Sequence, residues 1–193
     1  RVALAILCEL SDNPAEEYKK LATLCSFNGR QAQALQKMFA RKINIFPTTS
    51  VGRLFDGLAS LLDVSQVMSY EGQAAAQLEY LCEGNNAADY YQCQVIDGNG
   101  ISVIDWRVMF RAIIEEVVNH VPPSLISIKF HNSLVEAAIV LAKRTGQKKI
   151  VLSGGCFQNK YLTERMIDRL KEEEFIPIWH QFIPPNDGGI SLG

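Results

Sequence analysis

Lys149-Ile150-Val151-Leu152-Ser153-Gly154-Gly155-Cys156-Phe157-Gln158-Asn159 is the stretch that decides the fold. A short apolar run, two glycines and then an amphipathic segment from Lys160 to Lys171 read as strand, tight turn and helix, and Phe175 to Trp179 adds a second strand. Strand, crossover helix and strand make a βαβ unit, which implies a parallel sheet. Such a turn aims backbone N–H groups at a phosphate or another anion, so it is a candidate nucleotide site. Taken alone, Gly154 and Gly155 read rather as a tight strand-to-helix connection that needs φ > 0, and Asn159 rather as the N-cap of the helix that follows.

Working outward, the periodicity predicts helices up to about Gly84. The first runs from Pro14 to about Cys25, after Asp12 and Asn13, and the second from Arg30 to Lys42. Thr48, Thr49 or Ser50 caps a third, in which Leu54, Leu58, Leu61 and Leu62 form one apolar face. A fourth spans Gly72 to Leu81. The segments Tyr91 to Ile96 and Ile101 to Ile104 flank Asp97-Gly98-Asn99-Gly100, a strong hairpin signal. Asp105 then caps a core helix carrying Trp106, Met109, Phe110, Ile113, Ile114 and Val117, and a long helix from Pro123 to Lys143 stops at Thr145-Gly146. The chain divides at this level into a mainly helical part, 1–90, and an α/β part, 91–193.

With 193 residues, 48% of them hydrophobic, the chain buries an ordinary core. A net charge of −2, from 19 basic and 21 acidic residues, leaves no electrostatic footprint for nucleic acid or for an anionic membrane. The longest apolar runs fall short of the ~20 residues of a membrane span, and no signal-peptide pattern opens the chain, so a cytoplasmic protein is expected. Five cysteines without a C-x-x-C pair point to reduced thiols rather than to a disulfide framework or a thiolate zinc site. A start at Arg1 and a stop at Gly193 suggest a piece of a larger protein.

Four further residues carry candidate chemistry. Cys156, near a positive helix end, is a candidate low-pKa nucleophile with no histidine in obvious company. Asp187 stands in Asn186-Asp187-Gly188-Gly189 beyond the last strand, at the sheet edge where open α/β folds bind ligands; a lone carboxylate there is a turn residue or one ligand of a cation. Asp56 interrupts an apolar helix that also holds Gly52 and Gly57, at a propensity cost of about 2 kcal/mol. Either a ligand or a backbone approaches closely there, or Asp56 faces solvent. His131 lies on an apolar helix and reads as a satisfied, partly buried histidine.

Taken together, Gly52-Arg53-Leu54-Phe55-Asp56-Gly57, Tyr70-Glu71-Gly72-Gln73-Ala74-Ala75, Phe130-His131-Asn132, the Ser153 to Asn159 turn and Pro185-Asn186-Asp187-Gly188-Gly189 resemble, in order and over nearly the whole chain, the C-terminal carbamoyltransferase domain of the HypF-type hydrogenase maturation proteins. That domain is similar to the universal tRNA threonylcarbamoyl transferases. The resemblance implies an α/β, actin-like and Hsp70-like ATPase (ribonuclease H-like) architecture with a mixed sheet, of which this chain is the second half. It also implies an activity: carbamoyl adenylate made from carbamoyl phosphate and ATP, with the carbamoyl group passed to the C-terminal cysteine of a HypE-type partner for cyanide-ligand synthesis in nickel-iron hydrogenase. It places nucleotide contacts on Asp56, Gly72, Ser153, Gly154, Gly155 and Asn159, and a divalent-metal ligand on Asp187. The family's H-x-x-x-H metal motif and its glycine-rich phosphate loop have no counterpart among these residues, and Cys156 need not react, because the acceptor brings its own thiolate. Two other readings stay open: a non-catalytic nucleotide-binding or partner-docking module of the same architecture, and an unrelated acyl-transfer enzyme that uses Cys156.

Overall fold

A computed structural model describes residues 1–11, 29–85, 87–98 and 100–192. The helix expected from Pro14 to Cys25 lies outside the described residues. Two compact units emerge, and no single cut along the chain separates them: the first comprises Arg1–Tyr80 with Phe110–Pro123, the second Leu81–Met109 with Ser124–Gly193.

The first unit is helical. It holds α1 (Val2–Leu10), α2 (Gly29–Ala40), α3 (Val51–Leu61) and α4 (Gln73–Tyr80), joined by most of α5 (Arg107–Val118). Helix α1 packs on α2 and α3, and α3 packs on α4. Ser50 precedes α3 as its N-cap residue but makes no side-chain cap bond. The buried face of α3 is Phe55, Leu58, Ala59 and Leu61, with Leu54 and Leu62 at its half-buried margins. Gly57 sits inside that face, and a Cβ added there would meet Ile6 Cδ1 of α1. The close approach that a glycine in this helix signalled is therefore made by a neighbouring helix. Gly57→Val should overpack this contact and lower stability by about 1–3 kcal/mol, read as a lower urea midpoint at unchanged slope.

The second unit is α/β. Strands β1 (Gln94–Gly98) and β2 (Ile101–Asp105) pair antiparallel with Gly98 opposite Ile101, so the loop is shorter than the four residues expected and Asp97 and Gly98 belong to the strand. Asp105 Oδ1 accepts the Arg107 backbone N–H at 3.0 Å, the N-cap bond expected at the start of α5. Helix α6 (Pro123–Thr145) ends at Gly146, φ 67°. Strands β3 (Lys149–Leu152) and β4 (Ile176–Trp179) then pair in parallel through α7 (Lys160–Glu172), so the βαβ unit is present as read. The mixed sheet is not. Among the described residues the hairpin and the parallel pair are separate two-stranded sheets, because β1 and β2 offer mostly exposed side chains and bond to each other, as do β3 and β4.

Helix α6 is long and apolar enough to cross a membrane by length and composition, which the short apolar runs of the sequence had not suggested. Most of it is instead buried, Ile126, Ile128, Phe130, Val135 and Ile139 among its covered side chains, and its buried polar side chains are hydrogen-bonded within the second unit. At its end, Arg144 pairs with Asp97 of β1 at 2.8 Å. Arg169 of α7 forks onto Glu136 of α6 at 2.6 and 3.1 Å, a bidentate geometry that locks the two helices in register.

Candidate functional site

The parallel register places the candidate site. Leu152 pairs with Trp179, so the next residue on each strand, Ser153 and His180, emerges at the same edge, and Ser153 Oγ shares a hydrogen bond with His180 Nε2 at 3.1 Å. This is the carboxyl edge of a parallel pair, where ligands bind in open α/β sheets. Gly154 follows with φ 101° and ψ 162°, a conformation that is essentially glycine-only. Its N–H donates to Pro185 O at 2.9 Å. One backbone bond thus joins two motifs that read as separate turns in the sequence, between residues 31 positions apart.

Both arms of the site are shaped by local hydrogen bonds. Gly155–Gln158 form one 3-10 turn whose first N–H groups, by helix geometry, have no partner inside it. On the other arm Asn186 Oδ1 accepts Gly188 N–H at 3.0 Å and Asn186 O accepts Gly189 N–H at 2.9 Å. A Cβ on Gly189 would lie 2.8 Å from Pro184 O, so this turn closes only around glycine. Asp187 opens a second 3-10 segment, Asp187–Leu192, with its carboxylate exposed.

Asn159 serves the fold first. Its Oδ1 caps α7 by accepting Leu162 N–H at 2.8 Å, and its Nδ2 donates to His131 Nε2 at 2.9 Å. With 5% of its surface exposed and both amide atoms engaged, it supports the turn from beneath. His131 is wholly buried and hydrogen-bonded on both ring nitrogens, more enclosed than its sequence context suggested. Burial pushes its pKa down to about 4, against the backbone hydrogen bond to Ser127, so the ring is neutral.

Cys156 lies half-buried in the turn, and burial pushes its thiol pKa up. A thiol held protonated is the opposite of an activated nucleophile. Cys8, Cys82 and Cys93 likewise form no disulfide, and Cys25 lies outside the described residues.

Asp56 and Gly72 belong to the first unit. The Asp56 side chain is only 15% exposed and pairs with Arg53 at 2.8 Å, so it does not lie on the solvated face. Burial raises its pKa, partly offset by Arg53. Gly72 precedes α4 with φ 81° and exposes its backbone. Ser153, Gly154, Gly155, Asn159 and Asp187 all belong to the second unit.

A divalent ion needs several donors, and among the described residues no group of three His, Cys, Asp or Glu side chains is arranged to hold one. Asp187 by itself does not fit a complete metal centre. Sequence reasoning missed the Ser153–His180 bond and the His131–Asn159 bond. The first is foreshadowed by equal offsets from two parallel strands; the second had no local signal beyond the Phe130-His131-Asn132 triplet.

The chain matches over residues 1–193 the family described as carbamoyltransferase, Kae1-like domain, second subdomain. It is 42% identical over 146 residues to carbamoyltransferase HypF of Synechocystis sp. (strain ATCC 27184 / PCC 6803 / Kazusa), covering 76% of this chain and 19% of that protein. It is 26% identical over 197 residues to the probable carbamoyltransferase HypF of Methanocaldococcus jannaschii, covering 100% of this chain and 25% of that one. Among solved structures, full-length HypF in the phosphate- and nucleotide-bound form superposes with a TM-score of 0.87 at 36% identity, over 99% of this chain and 30% of that chain. The T. kodakarensis HypF structure superposes with a TM-score of 0.81 at 24% identity, over 100% of this chain and 26% of that chain, a likeness of fold. This chain therefore spans a fifth to a quarter of the length of these curated relatives, and it belongs to the Kae1-like carbamoyltransferase domain family as a second subdomain.

Proposed function

We propose that this chain supplies one wall of the nucleotide cleft of a cytoplasmic carbamoyltransferase of actin-like, Hsp70-like ATPase architecture. The reaction we assign to the complete polypeptide makes carbamoyl adenylate from carbamoyl phosphate and ATP. It then carries the carbamoyl group to the C-terminal cysteine of a HypE-type partner, toward the cyanide ligand of nickel-iron hydrogenase. The observation that carries this reading is the Gly154 N–H to Pro185 O bond, which joins the glycine turn and the Asn186-Asp187-Gly188-Gly189 turn at one sheet edge. The nucleotide-bound state of the relative with a TM-score of 0.87 supports it.

In the transfer step the acceptor thiolate attacks the carbamoyl carbon of the mixed anhydride, the C–S bond forms, and the C–O bond to the adenylate phosphate breaks to release AMP. No protein nucleophile is needed. What this chain contributes is position and fixed dipoles: the Ser153-Gly154-Gly155 backbone for the leaving group, with the Ser153 hydroxyl oriented by His180. Asn159 holds that turn in place. Asp187 would be one carboxylate ligand of a divalent cation, which would supply charge neutralisation at the developing oxyanion.

The test is carbamoyl transfer by the complete polypeptide to a cysteine-terminated peptide, with ATP affinity measured in parallel. Asp187→Asn and Ser153→Ala should each lower transfer about 10-fold or more, whereas Cys156→Ala should leave it within about twofold. Loss of transfer in Cys156→Ala would show that the thiol is the nucleophile and sink this mechanism.

A further inference from the structure

Helix α6 presents four buried polar residues, Ser127, His131, Asn132 and Ser133, to the rest of the second unit. Ser127 and His131 are one helical turn apart, and His131 Nδ1 lies 2.7 Å from Ser127 O. A carbonyl only accepts, so Nδ1 carries the proton and Nε2 is left as the acceptor. Asn159 arrives at the same answer from the other side. Its Oδ1 is taken by the Leu162 N–H, so Nδ2 is the atom that donates to His131 Nε2. Two helices thus fix one tautomer and one amide orientation in a site that is 0% exposed at His131 and 5% exposed at Asn159.

Asn159 is also where the glycine turn becomes a helix. It ends the Gly155–Gln158 turn, its own N–H donates to Cys156 O at 3.2 Å, and it caps α7. The orientation of this residue sets how the turn enters the helix. Around the imidazole stand the Cys82 thiol, 3.6 Å from Nδ1, the Tyr161 ring from α7 in a T-shaped contact, 5.4 Å between centroids, and Phe130 of α6 itself. A second ring proton on Nε2 would face the Asn159 N–H and break the bond. The burial that keeps the ring neutral also keeps the bond.

We propose that His131 is a positioning residue for the glycine-turn site: as the neutral Nδ1–H tautomer it holds the Asn159 amide, and through it the Ser153 to Gln158 turn, in the conformation that receives the nucleotide phosphate. The last clause rests on the nucleotide reading of the turn; the hold on the turn does not.

Three measurements on the complete polypeptide test it. The first is the 15N shift pair of the His131 ring. A protonated Nδ1 with an unprotonated Nε2 is expected, and the reverse tautomer would overturn the proposal without any variant. The second is backbone amide exchange at Gly154 to Leu162 in the absence of nucleotide. His131→Leu, which keeps bulk and loses the acceptor, should speed exchange there at least about tenfold, and His131→Gln, which restores an acceptor, should recover most of it. The third is ATP affinity by calorimetry, expected to weaken about tenfold in His131→Leu and to recover in His131→Gln. Unchanged exchange and affinity in His131→Leu would refute the positioning role. If the unsubstituted protein binds no ATP while exchange still responds, the nucleotide reading fails and the hold on the turn stands.

Discussion

Gly154→Ala is expected to weaken ATP binding by about 10- to 100-fold, the largest single-residue effect at this site. The cause is backbone conformation rather than crowding. A Cβ at Gly154 would meet nothing within 4 Å, yet φ 101° with ψ 162° is a region that side-chain-bearing residues enter only at a cost of about 1–3 kcal/mol. An alanine relieves that strain by rotating the peptide, and the rotation withdraws the N–H from Pro185 O at 2.9 Å. The two arms of the site then separate. Gly98→Ala, in β1 and outside the site, is the matched control, since Gly98 has no positive φ and open space at its Cβ position. It should bind ATP within about twofold of the unsubstituted protein while Gly154→Ala does not, and equal losses in the two would remove the backbone argument. Calorimetric titration with ATP reads both.

The second large effect is on acid stability. His131 has a folded pKa near 4 against 6.5 for the free side chain, so the unfolded chain binds the proton more tightly than the folded one. Its contribution is fully present above about pH 6.5, declines as the pH falls, and is gone near pH 4, for a total on the order of 3 kcal/mol. Asp97 and Glu173 also have lowered folded pKa values, Asp97 mainly through the Ser102 hydroxyl and Glu173 through Lys143. Their stabilising effect is lost lower on the acid limb, from the ordinary carboxylate range downward. Urea unfolding at a series of pH values between 7 and 4 should therefore show a steep loss that flattens in His131→Gln, which has no proton to gain. A slope through this window that is the same in both proteins would mean that His131 does not titrate as its burial requires.

The reading of the chain was most secure where one short segment carries all the information. Strand, glycine turn, helix and strand from Lys149 to Trp179 followed from apolar periodicity and glycine placement, and the parallel pairing followed from the crossover. Met109, Phe110 and Ile113 of α5 were legible as core for the same reason, since helical spacing puts them on one face. The sequence reading failed on the mixed sheet, because whether a hairpin joins a parallel pair depends on edges that no local pattern encodes. It left Asp56 undecided between solvent and protein, and the answer came from the burial of one face of α3 beside Arg53.

Asn159 marks the same boundary within a single residue. Its place before an amphipathic helix already made it an N-cap, because that bond reaches only three residues along the chain. That its other amide atom would grip a histidine 28 residues earlier needed the packing of α6 against α7. Local hydrogen bonding and periodicity determined the elements and the glycine turn from sequence alone. The tertiary structure decided which turns face each other and which polar groups are buried together, because those partners are chosen by packing between segments distant in sequence, where spacing along the chain has no say.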